Sequence, residues 1–146
     1  MPPLFYNRVF QATFLCWFAA QILKFLLELG FRRRVNFRLL TTAGGMPSSH
    51  SAAVSALSMA IAIADGVQSS VFVLSVVFAA VTMYDAAGVR RAASIQARLL
   101  NQIVDELFQG HPISETHLRE LLGHTPIEVA AGLVLGVVGA WWWMNR

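Results

Sequence analysis

Gly44-Gly45-Met46-Pro47-Ser48-Ser49-His50-Ser51 reads GGMPSSHS and stands between two long apolar runs. Glycines followed by a proline punctuate a chain as a turn. Polar and titratable residues at the mouth of an apolar helix are expensive and usually have a functional reason. The stretch therefore divides the chain into membrane-length segments and marks one of their ends as unusual.

Working outward, composition sets the class. The 146 residues are 56% hydrophobic and only 13% charged, whereas a water-soluble domain carries about 25% charged residues. Length argues for one domain, 1–146. The class is an all-α, polytopic membrane helical bundle. Cys16 is the single cysteine and lies in an apolar run, so there is no internal disulfide and no thiolate metal signal. The arginines cluster beside apolar spans, which fits phospholipid headgroups or a phosphorylated substrate and argues against nucleic acid. No cleavable signal peptide is expected, because the first apolar run is too long for one.

A bilayer-spanning helix needs about 20 mostly apolar residues. About four spans are read: Leu4 to Gly30, Pro47 to Ala64, Val67 to Ala87 and Pro126 to Met144, with Asp65-Gly66 as a tight turn between the second and third. The third is expected to continue beyond the membrane as a cytoplasmic helical extension to about Phe108. Gly110-His111-Pro112 breaks that helix, and Ser114 caps a short one ending at Gly123. Arg32, Arg33, Arg34 and Arg38 follow the first span, and Arg90, Arg91, Arg98 and Arg119 separate the third from the fourth. The positive-inside rule then puts both loops in the cytoplasm and both termini on the other side.

This topology gathers the polar motifs at the cytoplasmic face. GGMPSSH opens the second span, Asp85-Ala86-Ala87-Gly88-Val89-Arg90-Arg91 closes the third, and Gly123-His124-Thr125-Pro126-Ile127-Glu128 opens the fourth. Lys24 lies toward the same end of the first. Helix N-termini favour anions, and the arginine fork suits phosphate oxygens. The residues thus outline a phosphate site. Structural readings stand beside this one. Gly44-Gly45 with Pro47 fits a plain helix start. Thr125 to Glu128 fits a capping box with proline at the first helical position. Arg32 to Arg34 fit a topology anchor, and Asp85 with Arg90 or Arg91 an interfacial ion pair. His111 and His117 read as solvated loop residues.

On these residues the chain resembles the divergent branch of the type 2 phosphatidic acid phosphatase superfamily, the acid phosphatase/vanadium-dependent haloperoxidase-related family. The resemblance rests on Ala20-Gln21 with Lys24, GGMPSSHSA (44–52), YDAAGVRR (84–91), the Gln96 to Asn101 segment and LLGHTPIEV (121–129). Lys24 and Arg33 resemble the superfamily's first signature without its proline. Pro47-Ser48-Ser49-His50 resembles the second, with serine for glycine. Arg119, His124 and Glu128 resemble the third, one residue short and with glutamate for aspartate. The branch usually carries Arg-Arg-His-Ala-Gly where this chain has Arg90-Arg91-Ala92-Ala93-Ser94. The superfamily has about six helices, so a four-span site would be shallower or completed by a second copy of the chain.

The resemblance implies a phosphohydrolase acting on a membrane lipid phosphate or pyrophosphate. His124 would be the nucleophile, forming phosphohistidine, and Glu128 would hold its other ring nitrogen. His50 would protonate the leaving oxygen. Ser48, Ser49 and the backbone near Gly45 would cradle phosphate oxygens. Lys24, Arg33, Arg90, Arg91 and Arg119 would neutralise charge, with Asp85 as support. No metal or other cofactor is implied, since the chain has no HExxH, carboxylate cluster or Cys/His quartet. The alternative is a non-catalytic membrane subunit that binds anionic lipid or scaffolds a partner. Vanadate-dependent halide oxidation is disfavoured, because the superfamily's oxidases are soluble.

Overall fold

The computed structural model describes residues 3–32, 45–107 and 124–146. After a 3-10 turn at Leu4–Tyr6, five helices follow: α1 (Arg8–Arg32), α2 (Ser49–Asp65), α3 (Ser70–Ala87), α4 (Val89–Leu107) and α5 (Pro126–Met144). No strand occurs among the described residues. This is an all-α membrane bundle. Among the described residues, three helices, α1, α3 and α5, are long and apolar enough to cross a membrane. The 17-residue α2 rises about 25 Å and is the central element, packed against α1, α3 and α5.

Asn7 and Arg8, at the start of the first apolar run, both have hydrogen-bond partners. Asn7 Oδ1 accepts from the N–H groups of Val9 (2.9 Å) and Phe10 (3.1 Å) and so caps α1. The Arg8 guanidinium donates to the carbonyls of Trp143 (2.9 Å) and Arg146 (3.2 Å), which ties the start of α1 to the end of α5. Gly66, at φ +83°, ends α2, and the Ser69 side chain caps α3 by accepting from Phe72 N.

The burial pattern is inverted relative to a water-soluble protein. The buried set is dominated by small residues: Ala12, Ala20, Ala52, Ala56, Ala60, Ala79 and Ala140. Large apolar side chains point outward, Leu74 at 69% and Phe78 at 55% exposure. Lipid tails are as apolar as leucine, so they can cover such residues, while small residues let helix backbones approach. Gly132, Gly136 and Ala140, spaced by four on α5, are buried against α2. A methyl built on Gly132 would strike the Ser48 carbonyl, and one on Gly136 the Ser55 hydroxyl and the Ala52 carbonyl. Ser55 Oγ donates across this contact to the Leu133 carbonyl (3.2 Å).

Two expectations are corrected. The third span does not run on unbroken: α3 ends at Ala87, and the chain re-enters a helix at Val89. Gly88, at φ −104° and ψ −77°, departs from α-helical geometry and donates its N–H to the Tyr84 carbonyl. Pro47 does not begin α2 either. Ser48 is the N-cap, its side chain accepting from Ser51 N, and Pro47 precedes it. The expected break at Gly110 to Pro112 and the short helix from Ser114 to Gly123 lie outside the described residues, as do His111 and His117.

Candidate active site

Four chain segments converge at the end of the bundle away from the termini. The Ser48 N–H donates to the Glu128 carbonyl (3.0 Å), joining the GGMPSS turn to the first turn of α5. The His124 N–H donates to the Ala86 carbonyl (3.1 Å), joining the residue before α5's cap to the end of α3. The side chain of Lys24, from α1, passes beneath Gly45. A Cβ on Gly45 would lie 3.3 Å from the Lys24 Cγ and Cδ atoms, and Gly45 also has φ +85°. Only glycine holds that backbone without strain while leaving room for the lysine stem. This is the close approach its position in the motif demands.

The Glu128 carboxylate has two partners. Its Oε2 accepts from the Thr125 N–H (3.0 Å), and Thr125 Oγ1 accepts from the Glu128 N–H (3.4 Å), so the capping box is formed. The same Oε2 lies 3.1 Å from His124 Nδ1. A carboxylate only accepts, so Nδ1 carries the proton, and in the neutral ring Nε2 presents its lone pair. The four-residue spacing of His124 and Glu128 reaches across the cap. One carboxylate oxygen therefore closes the capping box and holds the His124 ring at the same time.

Around this pair, His124 is 2% exposed, and its ring centroid is 6.4 Å from that of His50, edge to face. His50 itself is exposed. Lys24 is also 2% exposed, and its Nζ has no hydrogen-bond partner among the described residues. Glu128 is near enough for its charge to act on Lys24. A buried ammonium without a partner is costly, and an anion would relieve that cost.

Of the other sequence candidates, Ser48 and Ser49 are buried at the head of α2. The Ser48 hydroxyl oxygen accepts from Ser51 N (3.3 Å) and Ser51 Oγ (3.0 Å). Asp85 lies in the last turn of α3, next to the Ala86 carbonyl that holds His124. Arg90 and Arg91 open α4, but their side chains are not among the described ones. Arg33 and Arg119 lie outside the described residues. Among those described, no group of three His, Cys, Asp or Glu is arranged to hold a metal. Sequence reading assigned no role to Gln21, which is buried one turn before Lys24 on the same face. It also missed the Gly132, Gly136, Ala140 stripe, although its four-residue spacing was readable.

The model of the Divergent PAP2 family matches residues 5–139. The chain is 41% identical, over 130 residues covering 82% of each chain, to the Uncharacterized membrane protein YuiD of Bacillus subtilis (strain 168). No solved structure matches.

Proposed function

We propose that this chain, which belongs to the Divergent PAP2 family, is a membrane-embedded phosphohydrolase that removes phosphate from a lipid phosphate or pyrophosphate. The observation that carries this reading is the His124–Glu128 pair, with Nδ1 held at 3.1 Å and the second imidazole, His50, alongside.

In this mechanism Nε2 of His124 attacks phosphorus while the bond to the lipid oxygen breaks. His50 gives a proton to that oxygen. Glu128 stabilises the positive charge that the ring acquires. Water then attacks the phosphohistidine and passes a proton to His50. The P–N bond breaks, His124 recovers its lone pair, and inorganic phosphate leaves. The buried Lys24 ammonium, assisted by arginines from among Arg33, Arg90, Arg91 and Arg119, offsets the charge on the transferring phosphoryl group. The distribution of arginine supports a site facing the cytoplasm.

The test is phosphate release by detergent-purified protein from phosphatidic acid, phosphatidylglycerol phosphate and polyprenyl pyrophosphate. Turnover is expected to persist in chelator and to fall with orthovanadate, which imitates five-coordinate phosphorus. Tight binding to anionic vesicles with no phosphate release across that panel would instead favour a non-catalytic lipid-binding subunit.

A further inference from the structure

An apolar groove of about 740 Å³ runs between α1 and α5. Its walls include Leu23 and Leu27 of α1, and Ala130, Ala131 and Val134 of α5. Among the described residues, no charged or polar side chain lines it. It starts at Met46, Pro47 and Ile127 and extends as far as Val138. That is about 16 Å of helix at 1.5 Å per residue. On α5 this face is distinct from the Gly132, Gly136, Ala140 face that packs against α2.

The head of the groove adjoins the site. Met46 and Pro47 directly follow Gly45, which rests on the Lys24 stem. Leu23 precedes Lys24, and Ile127 precedes Glu128. Alanines at 130 and 131 keep the first stretch of the groove shallow-walled, while Ile127 and Val138 remain 71% and 58% exposed at its two ends. A second apolar cavity, of about 410 Å³, lies between α2, α3 and α5 and includes Met59, Phe72 and Met83. It touches none of the candidate site residues.

We propose that the α1–α5 groove seats a hydrocarbon chain of the lipid whose phosphate is processed at His124. This inference rests on the phosphohydrolase reading and names the recognition element of that same site. The occupant is fixed by the two ends of the groove. One end is walled by Leu23, Met46 and Ile127, the chain neighbours of Lys24, Gly45 and Glu128, and the Lys24 ammonium is buried with no hydrogen-bond partner among the described residues; the other end lies along helices of membrane-spanning length. A molecule with a phosphate head and a long apolar tail matches both. The tail passes from one apolar phase to another, so the groove gains little hydrophobic driving force. Its contribution is position: it fixes the angle at which phosphorus meets Nε2.

Photolabelling tests the groove independently of turnover. Full-length protein in phosphatidylcholine vesicles is labelled with a long-chain lipid phosphate carrying a diazirine in its tail, and labelled positions are mapped by mass spectrometry. Labels are expected at Leu23, Leu27, Val134 and Val138, and to be competed by unlabelled lipid phosphate but not by the corresponding lipid alcohol. Labels concentrated at Phe72, Val76 and Met83, or labelling that the alcohol competes equally, would overturn the assignment. A second measurement fills the groove with Ala131→Phe and, separately, the more exposed Ala130→Phe. The ratio of kcat/KM for long-chain lipid phosphate to that for nitrophenyl phosphate should fall about tenfold or more. An unchanged ratio in both folded variants overturns the groove and leaves the phosphohydrolase reading intact. Absence of phosphate release from either substrate by the unaltered protein counts against that reading, while the labelling result still decides the groove. Absence of label at these four positions, together with a smaller oligomeric size for Ala131→Phe, would mark this face as a contact between copies and would also overturn it.

Discussion

Glu128 Oε2 receives two donors, the Thr125 N–H at 3.0 Å and His124 Nδ1 at 3.1 Å. One carboxylate oxygen thus closes the N-terminus of α5 and sets the tautomer of the histidine before it. Helix start and candidate nucleophile cannot move independently.

Replacing that carboxylate separates the two functions. Glu128→Gln keeps an acceptor for the cap but loses the negative charge opposite the ring. Phosphate release is expected to drop by about 100- to 10,000-fold, with thermal unfolding in detergent nearly unchanged. Glu128→Ala should lose activity similarly and lower stability further, because a lost cap costs about 1 kcal/mol. Near-normal turnover by folded Glu128→Gln would remove Glu128 from the mechanism.

His124 and His50 should respond differently to the leaving group. A lipid alkoxide is a poor leaving group and needs a proton, whereas nitrophenolate does not. His50→Ala is expected to lose about 100- to 10,000-fold on lipid phosphate and to be relatively spared on nitrophenyl phosphate in the phosphorylation step. His124→Ala should be inactive on both. If folded His124→Ala turns over normally, the nucleophile lies elsewhere.

The close contact of α5 on α2 gives a stability prediction. Gly132→Ala places a methyl against the Ser48 carbonyl, in the segment that carries His50. It should destabilise by roughly 1–3 kcal/mol and depress activity as well, since Ser48 is tied to Glu128. Gly30→Ala, with nothing within 4 Å of the added carbon, is the control. In a helix it should be neutral or stabilising by up to about 1 kcal/mol. Equal melting temperatures for the two variants would contradict the contact.

Gly45 should be sensitive for a different reason. Gly45→Ala forces a side chain into a positive-φ conformation and against the Lys24 stem. A cost of about 1 kcal/mol or more in stability is expected, together with weaker inhibition by orthovanadate as the ammonium is displaced. Unaltered vanadate inhibition would mean that Lys24 does not meet the anion.

Sidedness is open to labelling. With Cys16 replaced, Ser94→Cys and Thr116→Cys should resist an impermeant thiol reagent in intact cells, and Asn145→Cys should react. Strong external labelling at position 94 would put the site on the opposite face.

Much of this was written locally in the sequence. Hydropathy placed the apolar segments, because the cost of exposing apolar side chains is summed residue by residue. The fourth was read as Pro126 to Met144, the bounds that α5 has. The Thr125 to Glu128 cap was legible because its partners are three residues apart. Tertiary structure decided what depends on neighbours far along the chain. Hydropathy ranked α2 as one span among four, yet its alanines and serines make it the centre against which α1, α3 and α5 pack. Gly88 read as part of a continuous helix, because a single glycine is tolerated there by local propensity and only the folded chain shows the break. Lys24 was visible as a charge in an apolar run, but that its stem lies under Gly45 follows from the approach of α1 to a turn about 20 residues further along the chain. The sequence therefore determined which polar residues gather at one end of the bundle. Packing of small residues determined how closely they meet, because backbone approach is limited by the partner helix and not by the segment itself.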